Sequence, residues 1–259
     1  MMNLQQAMDF LKYRLKAKNR HGIHSPFVYR LLDKVIYDFR AKSVYHDIEK
    51  LRAELLEDER EILLTDRDGK SINTDKRIKI KSCAGNLRSA SVLQLIYRLV
   101  EDLKPRHIIE SGSSLGISTA YLAKAAPQAK IIHIEDNRET VSITAETLRK
   151  LNIQNVELKS GDFTDLLPGL LRDFSEPDIV IIEGVKRKDH VLNYFNGCLP
   201  ALSSNSMMVF GNIYQNNEMK EAWSEIKSHP EVTVTLDLFQ IGLVFVRRAQ
   251  AKEDFTIRF

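Results

Sequence analysis

The sequence predicts an α/β protein. A mostly parallel, doubly wound sheet of seven strands ends in an antiparallel β-hairpin and follows an N-terminal helical extension. Three observations predict this. From Arg106 onward, short apolar runs alternate with helical stretches, the pattern of a parallel sheet whose crossovers are helices. His107-Ile108-Ile109-Glu110 runs straight into a glycine-bearing turn and a helix start. Near the end, the apolar runs Val232–Leu236 and Gly242–Val246 are joined by too short a loop for a helix. They therefore pair antiparallel at the sheet edge.

The elements follow in order. Leu4, Met8, Leu11 and Leu15 recur at spacings of three and four and make an amphipathic first helix. A second helix opens at Ser25-Pro26, where serine suits the N-cap and proline suits the first helical position. The spacing predicts a third helix from Tyr45 to Leu63, with Ile48, Leu51, Leu55 and Ile62 as its apolar stripe and a charged, solvated opposite face. Thr65 to Lys76 is polar and reads as an exposed loop, and Arg88–Leu103 is a helix leading into the sheet. The predicted parallel strands are His107–Glu110, Lys130–Glu135, Val156–Lys159, Asp178–Glu183 and Met207–Gly211. Helices begin near Ile117, Arg138, Phe163, Asp189 and Asn217. This divides the chain into a helical extension or lid over 1–86 and a sheet domain over 87–259.

Composition restricts the function classes. The 259 residues hold 38 basic and 35 acidic side chains, and the resulting +3 is too weak to imply a nucleic-acid partner. Cys83 and Cys198 are the only cysteines and stand far apart, as expected of reduced thiols in a cytoplasmic protein. No apolar run approaches the roughly 20 residues of a membrane span. The first 20 residues mix charge with apolar positions, unlike a signal peptide. The expected partner is thus a small molecule, with neither nucleic acid nor membrane, and the apolar faces of the N-terminal helices suit a homodimer contact.

The stretch after the first sheet strand carries the chemistry. Glu110-Ser111-Gly112-Ser113-Ser114-Leu115-Gly116 is an acidic strand end followed by a turn in which Gly112 and Gly116 lack Cβ atoms. Twenty-five residues past Glu110, the next strand ends in Glu135-Asp136, and a carboxylate there accepts from a ribose diol. A third acidic strand end follows at Gly161-Asp162-Phe163. Each acid alone reads equally well as a polar strand tip. Their placement after three successive strands predicts a nucleoside pocket.

Alternating β/α units, the acidic glycine-bearing turn and the terminal hairpin resemble the class I S-adenosylmethionine-dependent methyltransferases, over roughly Leu87 to Arg247. Ile117-Ser118-Thr119, opening the helix after the turn, is most similar to the small-molecule O-methyltransferase branch. Ser114 stands where the family's turn has its middle glycine. His21-Gly22-Ile23-His24-Ser25-Pro26-Phe27-Val28-Tyr29 is similar to a group of poorly characterised bacterial members. The resemblance implies a Rossmann-like domain and S-adenosyl-L-methionine as cofactor. It places Glu110, Gly112, Ser113, Ser114 and Gly116 at the cofactor's amino-acid part, Glu135 at the ribose and Asp136 at the adenine edge. Asp162 and Phe163 would cap the adenine.

On the acceptor side, metal-dependent members place an Asp after the fourth strand and an Asp-Asn pair after the fifth. This chain has Glu183 and Gly211-Asn212, leaving at most two oxygen ligands, so no divalent metal is expected. Lys186, three residues past Glu183, matches the branch's basic residue, and His190 is a second candidate base. The bland reading of Lys186-Arg187-Lys188 is a solvated loop, one that would also attract an anionic acceptor. Tyr214 and Trp223 read either as pocket lining or as core. His21 and His24 lack further ligands at metal spacing. The expected activity is O-methylation of a small molecule by in-line transfer. One alternative is a degenerate member that binds the cofactor without turnover. Another is a nicotinamide-dependent oxidoreductase, for which the Gly-x-Gly-x-x-Gly turn is lacking.

Overall fold

The computed structural model describes residues 4–64, 76–112, 114–174, 176–247 and 250–259. It has the expected α/β architecture, with a mostly parallel sheet flanked by helices. The chain divides into two compact units. One comprises Met1–Asp38, His107–Ile109 and Thr164–Phe259, and the other Phe39–Arg106 and Glu110–Phe163. The first sheet strand is covalently shared between them.

In the larger unit, α1 (Leu4–Lys16), α2 (Pro26–Leu31) and a wider π-type turn over Leu32–Ile36 precede the sheet elements. Ser25 stands at the N-cap of α2, yet its hydroxyl accepts from Gln250 Nε2 at 2.9 Å rather than capping the helix. The remaining elements are α8 (Phe163–Asp173), β6 (Ile179–Ile182), α9 (Lys188–Cys198), β7 (Met207–Gly211) and α10 (Asn217–Ser228). β8 (Val234–Asp237), β9 (Ile241–Phe245) and β10 (Glu253–Thr256) complete it. The strand order is β10-β8-β9-β7-β6, followed by the start of β3 (His107–Ser111). β6 and β7 run parallel, whereas β9 is antiparallel to both β7 and β8.

The predicted hairpin is therefore present, but it is not the sheet edge. β10 adds in parallel outside β8, giving eight strands rather than seven. Its sequence, Glu-Asp-Phe-Thr, looks like a charged tail, and pairing supplies what composition does not. Thr235 Oγ1 donates to Asp254 Oδ1 at 2.5 Å. The backbone at Lys18 continues the edge by pairing with Thr256 and Arg258. The N- and C-terminal segments of the chain are thus tied by main-chain bonds.

In the smaller unit, α3 spans Ser43–Leu56, so the helix expected to reach Leu63 stops about two turns earlier. Asp58 explains the stop. Its carboxylate accepts from the Arg60 backbone N–H at 2.9 Å and from the Arg60 guanidinium, an Asx-type turn that competes with helix. Ile62 therefore belongs to β1 (Glu61–Leu64), opposite Ile78 of β2 (Lys76–Lys79) in an antiparallel hairpin. Of the loop predicted over Thr65–Lys76, residues 65–75 lie outside the described residues, and Lys76 instead opens β2. α4 (Ile80–Ala84) and α5 (Ala90–Leu103) follow. Then come α6 (Ile117–Ala125), β4 (Lys130–Glu135), α7 (Arg138–Lys150) and β5 (Val156–Ser160). The strand order here is β3-β4-β5, with β4 and β5 parallel.

The two aromatics of uncertain role both have packing partners within their own unit. Trp223 of α10 is buried against β9, where a Cβ on Gly242 would come within 2.6 Å of the indole ring. Tyr214 stacks on Phe239 and donates to Asp237 Oδ2 at 2.6 Å. Gly242→Ala overpacks the indole and should lower stability by about 1–3 kcal/mol in urea unfolding, with no loss expected from Ala at the more open Gly169.

Candidate functional site

The candidate cofactor residues gather at the carboxyl ends of β3, β4 and β5. Main-chain bonds align these tips: Gly112 N–H donates to Ile134 O at 3.2 Å, and Gly161 N–H donates to Glu135 O at 3.1 Å. The turn after β3, the acid ending β4 and the turn after β5 are therefore brought together in one compact unit. Gly112 has φ 116° and Gly116 φ 81°, both in the region that favours glycine. The reason for Gly116 is packing. A Cβ there would meet Thr147 Cβ and Cγ2 at 3.0 Å, so glycine lets the start of α6 sit against α7. Leu115 also has positive φ, at 52°, and its carbonyl is held by the Thr147 hydroxyl at 2.8 Å. Ser113 lies outside the described residues.

Beneath the turn, Glu110 is 1% exposed. Its Oε2 accepts from the Thr119 hydroxyl at 2.6 Å and from His133 Nδ1 at 2.9 Å. Burial raises this carboxyl, but the hydrogen bond and charge of His133, with the Thr119 hydroxyl, outweigh it and leave the group below the usual carboxylate range. Thr119 and His133 were not among the expected site residues. A histidine inside the otherwise apolar Lys130–Glu135 strand was the available signal, because a buried imidazole needs a partner.

Glu135 differs. Its Oε1 takes only a long 3.4 Å bond from Asn137 N–H, and its Oε2 is buried without a hydrogen-bond partner among the described residues. Burial above all, with Asp136 adding and His133 opposing, pushes this carboxyl up to about 7. Ser111 Oγ and Ser114 Oγ, flanking the turn, are likewise buried and without partners among the described residues. Asp136 is exposed, Asp162 half-buried, and Phe163 buried at the first position of α8. The sequence also gave no sign of the β1–β2 hairpin as a neighbour of this strand tip. Leu63 N–H donates to Glu139 Oε2 at 2.7 Å and Leu63 O accepts from Asn137 Nδ2 at 2.6 Å. Asn137 in turn caps α7 through the N–H groups of Glu139 and Thr140.

The acceptor-side candidates lie in the larger unit. Glu183 directly follows β6 and is half-buried, and Gly184, with φ 74°, turns the chain toward Lys186. Within the basic cluster, Arg187 pairs with Asp189 at 2.5 Å and Lys188 pairs with Glu225 at 2.5 Å. Lys186 is exposed and forms no ion pair among the described residues, although its carbonyl accepts from Asn216 Nδ2 at 2.9 Å. His190 is half-buried in the first turn of α9. Among the described residues, no three His, Cys, Asp or Glu side chains converge as metal ligands. His21 lies within a 3-10 turn over Arg20–Gly22, where its N–H donates to Asn19 Oδ1 at 3.1 Å, and His24 follows two residues past the turn.

Residues 109–213, which carry the turn and both later strand tips, match a family described as "Methyltransferase domain". Over 123 residues the chain is 25% identical to the transmembrane O-methyltransferase homolog of Rattus norvegicus, covering 46% of this chain and 45% of the relative. The chain thus spans less than half the length of the curated relatives it matches. The fold is shared with an S-adenosylhomocysteine-bound methyltransferase of Podospora anserina, at TM-score 0.60 and 14% identity over 86% of this chain and 97% of that one. It is also shared with an O-methyltransferase of tomaymycin synthesis from Streptomyces achromogenes in complex with S-adenosylmethionine. There the TM-score is 0.55 and the identity 18%, over 81% of this chain and 92% of that one. The expected doubly wound α/β fold is therefore shared with both.

The buried contact beneath the turn can be tested without ligand. Thr119→Val removes one donor from a carboxylate with no access to water and should cost about 1–3 kcal/mol of unfolding free energy. Thr119→Ser, which keeps the hydroxyl, should recover most of it.

Proposed function

We propose that this chain is an S-adenosylmethionine-dependent methyltransferase acting on an oxygen of a small acceptor, in the cytoplasm. What carries the reading is the gathering of Gly112, Glu135 and Gly161-Asp162 at three adjoining strand ends, beside buried polar atoms that lack partners. The residues fit the cofactor. Glu135 Oε2 accepts from the ribose hydroxyls, and Asp136 and Asp162 serve the adenine edge with Phe163 beside it. Ser111 and Ser114 offer hydroxyls to the amino-acid part, where Ser113 and the Gly112 backbone also belong. Glu110 holds the turn from below through Thr119 and His133. The helical extension over 1–86 and the methyltransferase domain over 87–259 are the division that this reading adopts.

S-adenosylmethionine supplies an electrophilic methyl group on a sulfonium. Transfer then needs an acceptor oxygen held in line with the methyl–sulfur bond, which is a matter of positioning. As the oxygen–carbon bond forms, the hydroxyl proton leaves. We assign its removal to His190 and the attraction of the acceptor oxygen to Lys186, with Glu183 as a hydrogen-bond acceptor beside them. The names of similar proteins support oxygen as the nucleophile, since the rat relative and the Streptomyces enzyme are both called O-methyltransferases. The degenerate alternative keeps the same cofactor site. It is favoured by Glu183 and Gly211-Asn212, where metal-dependent members carry Asp and Asp-Asn.

Calorimetric titration with S-adenosylmethionine tests the cofactor site. Below pH about 7 Glu135 holds a proton in the free protein, and diol donors favour its carboxylate, so binding must release that proton. Affinity should therefore rise with pH up to about 7 and level off above it. Glu135→Gln should bind about 10–100-fold more weakly and lose that pH dependence. Unchanged affinity in the variant would remove Glu135 from the site.

Transfer of isotopically labelled methyl to a hydroxylated acceptor separates turnover from binding alone. Lys186→Met should raise KM with little change in kcat, and His190→Ala should lower kcat by about 100-fold or more. Tight cofactor binding with no transfer to any acceptor would favour the degenerate reading.

A further inference from the structure

The first helix is docked by its polar face. Gln6 Nε2 donates to Gln215 O at 3.2 Å, Asp9 accepts from Lys220 Nζ at 2.8 Å, and the ring of Phe10 meets Phe239 edge-on at 5.0 Å. Tyr13 donates to Ile257 O and accepts from Phe259 N–H. At about 100° per residue these four side chains occupy one arc of α1. Burial pushes the Tyr13 hydroxyl up to about 12, which keeps it a donor in this contact.

The opposite arc is apolar and faces water. Leu4, Met8, Leu11 and Leu15 are 80%, 48%, 62% and 80% exposed, and they fall within an arc of about 60°. The contacts of these four side chains on the other side hold this stripe outward. Lys12 and Lys16 border one edge of the stripe and Arg14 the other, with Lys18 just past the helix end, and all four are exposed. None of the four forms an ion pair with an acidic side chain among the described residues. Asp9, the one acid of α1, points inward to Lys220.

We propose that α1 is an interfacial anchor that docks the protein on an anionic lipid surface. The leucines and Met8 enter the acyl boundary while the flanking cations reach headgroup phosphates. This is peripheral attachment and requires no membrane span. Among the described residues, no helix is long and apolar enough for one. Charge decides between this occupant and a second copy of the chain. A self-paired seam gains from opposite charges along its borders, but the stripe of α1 is bordered by no acid: a parallel pair would set Lys12, Arg14 and Lys16 against the same cations, and an antiparallel pair would set them against uncharged Gln5 and Ala7. A negatively charged surface complements both borders at once. The proposal is independent of the methyl-transfer reading.

Vesicle co-sedimentation of the full chain tests it. Wild type should sediment with phosphatidylglycerol vesicles at least about fivefold more strongly than with phosphatidylcholine vesicles, and less so as salt rises. Leu11→Gln/Leu15→Gln should weaken binding by about tenfold or more, and Lys12→Gln/Lys16→Gln by several-fold. Both pairs are exposed, so melting temperature serves as the folding control. The proposal is overturned if wild type ignores phosphatidylglycerol vesicles, or if the leucine variant binds them as well as wild type. It is equally overturned if analytical centrifugation shows a dimer that the leucine variant abolishes while vesicles remain unbound.

Discussion

A single buried carboxylate organises the candidate cofactor site. Glu110 ends β3 out of reach of water, and an ion there persists only if donors replace the lost hydration. Thr119 from α6 and His133 from β4 supply them, so one group joins the strand before the turn, the helix after it and the neighbouring strand. The left-handed turn between these elements, with Leu115 at φ 52°, is then closed from both ends. Thr147 of α7 secures it from the side by holding Leu115 O.

Two acids one strand apart consequently play different parts. Glu110 is satisfied inside the protein and held ionised, whereas Glu135 is buried with an acceptor oxygen left over and its carboxyl raised to about 7. A satisfied carboxylate is a structural fixture. An unsatisfied one is costly unless something arrives to use it, and the proposed function gives that open oxygen to a ribose. The same division separates Gly112 from Gly116: Gly116 is required by the contact with α7.

α1 inverts the usual logic of an amphipathic helix. Its period was legible, since four apolar residues recur at helical spacing, but the period says only that one face differs from the other. Which face meets the protein was decided by distant residues: Gln215, Lys220, Phe239 and Ile257 offer a polar and aromatic seat, and the leucines turn outward.

The sequence by itself determined the alternating elements after Arg106, the antiparallel hairpin and the three acidic strand tips. These depend on local composition, period and turn chemistry that short segments carry within themselves. Tertiary structure alone decided where α3 ends, that Ile62 belongs to a strand, and that the charged Glu253–Thr256 segment forms an eighth strand. It also decided that Glu110 answers to Thr119 and His133 while Glu135 keeps an open oxygen. Each of these outcomes is set by a partner far along the chain, and the free energy of a buried hydrogen bond or a paired strand exists only once both partners are in place.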